Sequence, residues 1–372
     1  MMLPHCWGYF LTELTAHTPK EQSMLRVIFC FLLAVSLLSS QSSGYGERGH
    51  QLVGAIADRR LELQNPAMSQ KVKDLLDGLT LETVAVYPDS IIKKLDHNAA
   101  QNIFSQHPEL SAQLISDIKD YWDANNDFPL PPPHENRHRM AHYTDVPVMG
   151  PLKYDGTGVG QTPFDIVHAI PRCIRVLQGT DTAEDQQRKI AKKVAVILLA
   201  HYLGDIHQPL HVGAEYFDFN GQPVDPTMFP QALQDTGGND VHFRFVPPRH
   251  GRTPNLHGFW DEDAVDAGFP NNDDAANATQ LANAEPTGWK LPPNVGLEDW
   301  AKAWANEILP VASAAHTPIV FQGIHTTPHG VKYFQSQIDS NTYPPLAGDT
   351  VRKAIHKAGW RLAKVLETAL TP

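Results

Sequence analysis

The chain has 372 residues, with 30 Lys and Arg against 41 Asp and Glu for a formal net charge of −11, 19 histidines and three cysteines. A balance this acidic excludes a Lys/Arg-lined groove for polyanions, so any attraction for nucleic acid has to come from bound cations. So few cysteines exclude a disulfide framework, and the histidine load points to a metal core as the alternative staple.

Residues 1–44 read as a leader rather than as part of a fold. Met24 opens a short segment with Arg26, an apolar run from Val27 to Leu38 and a polar stretch ending in Ser42-Ser43-Gly44, the pattern of a secretory signal peptide. The apolar run is about a dozen residues, short of the roughly 20 that span a bilayer. Residues 1–23 read as an over-called start upstream of Met24. Removing 1–44 leaves 328 residues (372 minus 44), enough for one domain, 45–372, with one large core. Lys20 and Arg26 cancel Glu13 and Glu21 in the leader, so the whole negative charge belongs to the remainder. Cys6 and Cys30 also go with the leader, which leaves Cys173 alone. The expected product is secreted or periplasmic, with no membrane anchor after cleavage and no stable protein partner.

Helical periodicity dominates the rest, and no convincing series of alternating strands is present, so the expected fold is mainly α. The predicted helices are Glu47 to Leu63, Met68 to Leu75, Leu110 to Ala124, Asp165 to Leu177, Ala183 to Ile206, Leu297 to Ala314 and Thr350 to Thr368. In the stretch from Ala183, residues Ile190, Val194, Ile197, His201 and Asp205 recur on one stripe, so two ligand-type side chains finish a core-facing row. Phe128 to His134, Val148 to Gly160, Ala214 to Gly238 and Phe269 to Pro293 are rich in Pro, Gly and Asn and read as loops. Asn277 to Thr279 form a glycosylation sequon, meaningful only in a host that glycosylates.

His201 and Asp205 lie four apart in HYLGDIHQPLH, on one helix face, and His211 follows beyond the helix-ending Gln-Pro. His257 and Asp261 repeat the spacing in NLHGFWDED. Either pair alone reads as a capped or salt-bridged core pair; two pairs with His211 read as metal ligands. Nitrogen and carboxylate donors without thiolate favour catalytic zinc, and zinc without redox chemistry favours hydrolysis.

These segments carry a resemblance to a known family. Tyr45-Gly46-x-x-Gly49-His50, the YPD ending in Asp89, HYTDVP from His142, HYLGDIHQPLHVG, GGND, NLHGFWD, the WANE of Trp304 to Glu307 and the AGWRLA of Ala358 to Ala363 resemble the S-one/P-one type of zinc-dependent single-strand nuclease. That family's single-domain helical fold is shared with bacterial zinc phospholipase C. The resemblance implies three zinc ions. One is held by Asp89, His142, His201 and Asp205, and a second by His211, His257 and Asp261. The third takes His50, Asp205 as a bridge, and the free amine and carbonyl of the first residue after cleavage, here Tyr45 where the family has Trp. It further implies that Tyr143 stacks on a base and that Asp145 accepts hydrogen bonds from its edge. Hydroxide shared by the metal pair that Asp205 bridges would attack the phosphodiester and leave 5′-phosphates, with a companion 3′-nucleotidase activity. Many relatives place an Arg three residues after the aspartate at Asp89; here that position is Ile92, with Lys93 and Lys94 beside it.

Local sequence leaves other readings open. Asp89 reads equally as a helix N-cap, His50 as a core histidine and His207 as support for a ligand, while His134, His138 and His250 read as solvated loop residues. A phospholipase C-like enzyme would use the same ions on a lipid phosphodiester, with Tyr216, Phe217, Phe219 and Phe229 of the Ala214 to Asp235 insertion as its apolar approach. A non-catalytic, zinc-stabilised secreted protein is the third reading.

Overall fold

Among the described residues, eight longer helices carry the architecture. In the computed structural model, residues 45–371 are described except 97–99, 133, 244–254, 291–293 and 328–329, so the leader segment and His250 lie outside the described residues. The helices are α1 (Glu47–Gln64), α2 (Pro66–Leu75), α3 (Ala112–Asp123), α4 (Ile166–Gln178), α5 (Lys192–Asp205), α6 (Asp274–Asn283), α7 (Trp300–His316) and α8 (Tyr343–Leu370). Asn65, Ser111, Asp165 and Asp273 each accept a hydrogen bond from a backbone N–H in the first turn of α2, α3, α4 and α6, satisfying donors that a helix start leaves orphaned. Pro344 and Pro345 sit in the first turn of α8, the one place in a helix where a missing N–H costs nothing.

Helix α5 is the centre. Every residue from Val194 to Asp205 is buried, and α5 packs against α1, α3, α4 and α8. This corrects the expected single helix from Ala183 to Ile206. Ala183–Gln187 forms its own short helix with a capping box from Thr182 and Asp185, and the chain breaks at Lys189, whose φ of 50° no α-helix accommodates. Ile190 therefore lies outside α5, and α5 has no polar face because it is enclosed on all sides.

The structure also corrects two expected loops. Asp274–Asn283 within Phe269 to Pro293 is helix α6, which packs on α1. The Ala214 to Gly238 stretch contains a small hairpin. Among the described residues seven short strands form three sheets: β1 (Val146–Pro147) with β2 (Gly213–Ala214) in parallel, β3 (Tyr216–Phe217) with β4 (Leu233–Gln234) antiparallel, and β5 (Val241–Phe243), β7 (Lys332–Gln337) and β6 (Val320–Thr326) in the order β5-β7-β6. Four of these strands have two residues, too few for alternation to register in a sequence. Their effect is positional: β1–β2 ties the segment after His142 to the segment after His211. Among the described residues no helix is long and apolar enough to cross a membrane, and Cys173 is buried and unpaired.

The seam between α7, α8 and the turn carrying Asp261 is pinned by a polar relay. The Trp260 indole N–H donates to the Tyr343 hydroxyl at 3.0 Å, and that hydroxyl donates to the Ala315 carbonyl at 2.8 Å, all buried. Tyr343→Phe removes both bonds and leaves two buried groups unpartnered, an expected loss of about 1–3 kcal/mol. Chemical denaturation of the two proteins with metal present reads it directly.

Candidate metal centre

The ligand-type side chains converge because six segments meet at one place. His50 comes from the first turns of α1, and His201 and Asp205 from the last turn of α5. His211 closes a short 3-10 turn, Pro209–His211, just past α5, and His142 precedes β1. Asp89 and Asp261 each lie in a π-helical turn, Pro88–Ile92 and Phe259–Asp263, a wide turn that recurs at functional sites. Asp89 is thus inside its turn, with Tyr87 at the cap position; it is not an N-cap.

Three groups result: Asp89, His142 and His201; His50, His201 and Asp205; and His211, His257 and Asp261, with the potential ligand atoms in each within 4.8 Å of one another. His201 and Asp205 serve as the joint. The Asp205 carboxylate, fully buried, has one oxygen 3.0 Å from His142 Nδ1 and 3.2 Å from His201 Nε2, and the other 3.3 Å from His50 Nε2 and 3.7 Å from His211 Nδ1. The His50 and His201 rings stack at 3.7 Å. This approach is possible because position 204 is glycine: a Cβ there would stand 2.7 Å from His50 Nδ1.

Backbone carbonyls fix how the imidazoles face. His201, His211 and His257 each place Nδ1 against a carbonyl, of Ala85 at 2.7 Å, His142 at 2.8 Å and Gly237 at 2.6 Å. A carbonyl only accepts, so Nδ1 carries the proton and the Nε2 lone pair points into the cluster. The GGND segment owes its place to this contact, since Gly237 takes a φ of 60° as it presents its carbonyl to His257. Gln208, which the sequence did not single out, donates its amide N–H to Asp261 Oδ1 at 2.9 Å and leaves Oδ2 3.3 Å from His257 Nε2. Its only sequence signal is its position inside HYLGDIHQPLH.

Metal ions fit this donor set. Among the described residues, the buried polar atoms without a hydrogen-bond partner include both ring nitrogens of His50, Asp89 Oδ2, Asp205 Oδ1, and Nε2 of His142, His211 and His257. Native proteins leave few such atoms, because each one costs the desolvation of its group. Here they cluster, and all are imidazole nitrogens or carboxylate oxygens, the atom types that ligate a cation. Burial pushes the His50 imidazole down to about 4 and His257 down to about 3, which keeps both rings neutral and ligand-competent. Burial pushes Asp89 and Asp205 up, but Lys93 with His201 and His142 around the first, and His201 and His211 around the second, outweigh it and hold both ionised. Asp261 goes the other way, raised by burial, which a bound cation would reverse.

Tyr45 is fully buried, its hydroxyl donating to the His207 carbonyl at 3.0 Å, while the Gly46 N–H donates to the Asp261 carbonyl at 2.9 Å. The segment therefore runs beside Asp261. His207 is a bracket between this segment and α8: Nδ1 faces the Leu203 carbonyl at 2.7 Å, and Nε2 accepts from Arg361 at 2.8 Å. Arg361 also bonds Glu307 at 2.5 Å, so WANE and AGWRLA join under the end of α5. His138 is not solvated, as the sequence suggested. It is fully buried, with its ring nitrogens 3.0 Å from the Tyr121 hydroxyl and 3.2 Å from the Pro88 carbonyl, which props the turn holding Asp89. His134 is exposed. Ile92 is core, and Lys93 brings its ammonium to 3.4 Å from Asp89. Asn277 is buried and bonded to Asn271 at 2.8 Å, so the asparagine of the sequon does not face solvent.

A sequence profile of the S1/P1 nuclease family matches residues 45–371. The chain belongs to this family. Among curated proteins it is similar to endonuclease 4 of Arabidopsis thaliana, 23% identical over 253 residues that cover 66% of this chain and 63% of the relative. It is also similar to endonuclease 2 of the same plant, 20% identical over 250 residues covering 66% and 65%. The chain thus spans less than two thirds of the length of either relative. The mainly helical single-domain fold is that of an S1/P1 nuclease.

Beside His142, Tyr143 is largely buried and Asp145 is 8% exposed. Asp145 stands among other acids: burial, then Asp235, push its carboxyl up from 3.8 to about 8, against a hydrogen bond from Gln234. A raised folded-state value means the fold holds this proton more tightly than the unfolded chain does. The stability it contributes is complete below about pH 4 and is lost as pH rises through about 8. Asp145→Asn abolishes that loss, so its melting temperature should gain on the parent's between pH 5 and pH 9. Equal differences at both pH values would refute the assignment.

Proposed function

We propose that this S1/P1 nuclease is an exported phosphodiesterase that binds three zinc ions and hydrolyses single-stranded DNA or RNA to 5′-phosphate products, with 3′-nucleotidase activity alongside. The observation that carries the reading is the set of unpartnered, inward-facing donor atoms on His50, Asp89, His142, Asp205, His211 and His257. Asp89, His142, His201 and Asp205 would hold one ion and His211, His257 and Asp261 a second. His50 and Asp205, with the main chain of Tyr45 if cleavage falls just before it, would hold the third. Zinc so bound supplies Lewis-acid polarisation of the phosphodiester and acidifies attacking water.

The chain's own residues do the rest. Asp205, the residue in the catalytic role, directs one carboxylate oxygen to each side of the cluster, which supports a bridging position. Its burial keeps the ions' field from being screened by solvent. Gln208 and the three backbone carbonyls hold the ligands in one orientation, so nothing has to reorganise when charge develops on the phosphate. Lys93 adds a buried ammonium beside the Asp89 carboxylate. Tyr143 and Asp145 would read a base, and a stacking ring favours unpaired strands because only a splayed base offers its face. With a net charge of −11, attraction for the strand would come from the ions.

A lipid substrate has one observation in its favour: Phe219, Met228 and Phe229 of the 214–235 insertion are 68%, 74% and 53% exposed. Tyr216 and Phe217 are buried and offer no approach. Purified protein assayed on single-stranded DNA and on phosphatidylcholine separates the two. The expected result is DNA cleavage with 5′-phosphate ends, abolished by a chelator and restored by zinc. Lipid turnover without DNA cleavage would overturn the reading, and inactivity on both with the fold intact would leave a zinc-stabilised protein without catalysis.

A further inference from the structure

A second cavity lies under the WANE and AGWRLA segments. It measures about 140 Å³ and is lined by Trp289, Lys290, Trp300, Trp304, Arg361 and Lys364. Three indoles and three cations line it, with no carboxylate among the lining residues, in a chain whose net charge is −11. Trp304 and Arg361 form the buried floor, Trp289 and Trp300 are half-buried walls, and Lys290 and Lys364 are exposed at the mouth. Arg361 belongs to the bracket that holds His207 and also donates to the Trp289 carbonyl at 2.9 Å, but that bracket uses neither the indole ring of Trp289, nor Trp300, nor either lysine.

One feature of the floor is unexplained by packing. Trp304 is fully buried, yet its Nε1 has no hydrogen-bond partner, whereas a buried indole N–H ordinarily finds one. Trp300 spends its N–H on the Val295 carbonyl and Trp289 on Glu285, so Trp304 is the one indole of the three still holding a donor. At the mouth, Lys290 pairs with Glu285 at 2.9 Å and Lys364 with Glu367 at 3.7 Å. Exposed pairs of this kind are worth little and exchange readily for a stronger anion.

We propose that this cavity is an accessory nucleotide site, which takes a planar base between the indoles and its phosphate at Lys290 and Lys364. The chemistry is that of a single-strand stacking platform, with aromatic faces for the base and cations for the backbone. It rests on the nucleic-acid reading above for its substrate class, but not on the metal centre for its geometry. A nucleotide unit of a bound strand and a released 5′-mononucleotide present the same groups.

The test is equilibrium titration of zinc-loaded protein with 5′-AMP, adenosine, inorganic phosphate and a short phosphorothioate deoxyoligonucleotide that resists hydrolysis. The parent should show two 5′-AMP binding events. Trp300→Ala should weaken one of them by about tenfold or more, leaving hydrolysis of a small phosphodiester unchanged. The Lys290→Ala/Lys364→Ala double variant, altered only at exposed positions, should do the same if the aromatic variant fails to fold. Loss of both 5′-AMP and oligonucleotide binding assigns the site to free mononucleotide as well as strand, and loss of the oligonucleotide alone assigns it to strand. Identical titrations of parent and variants overturn the site, and adenosine binding as tightly as 5′-AMP overturns its assignment to a nucleotide. If strand cleavage is absent while the Trp300-dependent event persists, the proposed activity fails and the cavity assignment stands.

Discussion

One buried carboxylate organises this protein. Asp205 sits with no solvent access at the end of a helix enclosed on every side, and four imidazoles approach its two oxygens. An ionised carboxylate in that position is expensive unless positive charge compensates it. His201 and His211 hold it ionised, while burial pushes the His50 and His142 imidazoles down toward the neutral, ligating form. Asp89 and Asp205 thus bring negative charge into a space rich in nitrogen donors, and divalent cations are the natural complement.

The rest of the fold can be understood as what holds that arrangement still. Helix α5 is buried so that its last turn can be the floor of the site. The β1–β2 pair locks the segment of His142 to that of His211, and π-helical turns deliver Asp89 and Asp261 from two other directions. Carbonyls of Ala85, His142 and Gly237 settle the tautomers of three histidines. Behind the site, His207, Arg361 and Glu307 bind α8 and α7 to the end of α5. Among the described residues there is no disulfide, and this polar bracketing cross-links the segments instead.

Much of this was legible in the sequence, and the failures have physical reasons. The spacing of His201 with Asp205 and of His257 with Asp261 shows on paper, because four residues make about one helical turn whether the turn is α or slightly wider. Helical periodicity gave the fold class. It did not give the break at Lys189, since a left-handed residue leaves no mark on hydrophobic spacing, and it made α5 look one-sided although α5 is buried all round. Strands of two residues were invisible, as was their pairing with partners far along the chain. His138 looked like a solvated residue because its loop is polar; only the fold brings Tyr121 and Pro88 to it. Gln208 was hidden in plain view, inside a motif whose ligands drew the attention.

Two properties decide what these converging donor atoms do: the metal they hold, and whether the chain that holds it begins at Tyr45. Metal analysis of the purified mature protein, combined with sequencing of its N-terminus, measures both at once. Three zinc ions per chain with Tyr45 as the first residue is the predicted result. A single zinc, or a first residue other than Tyr45 in protein that carries all three, would contradict it.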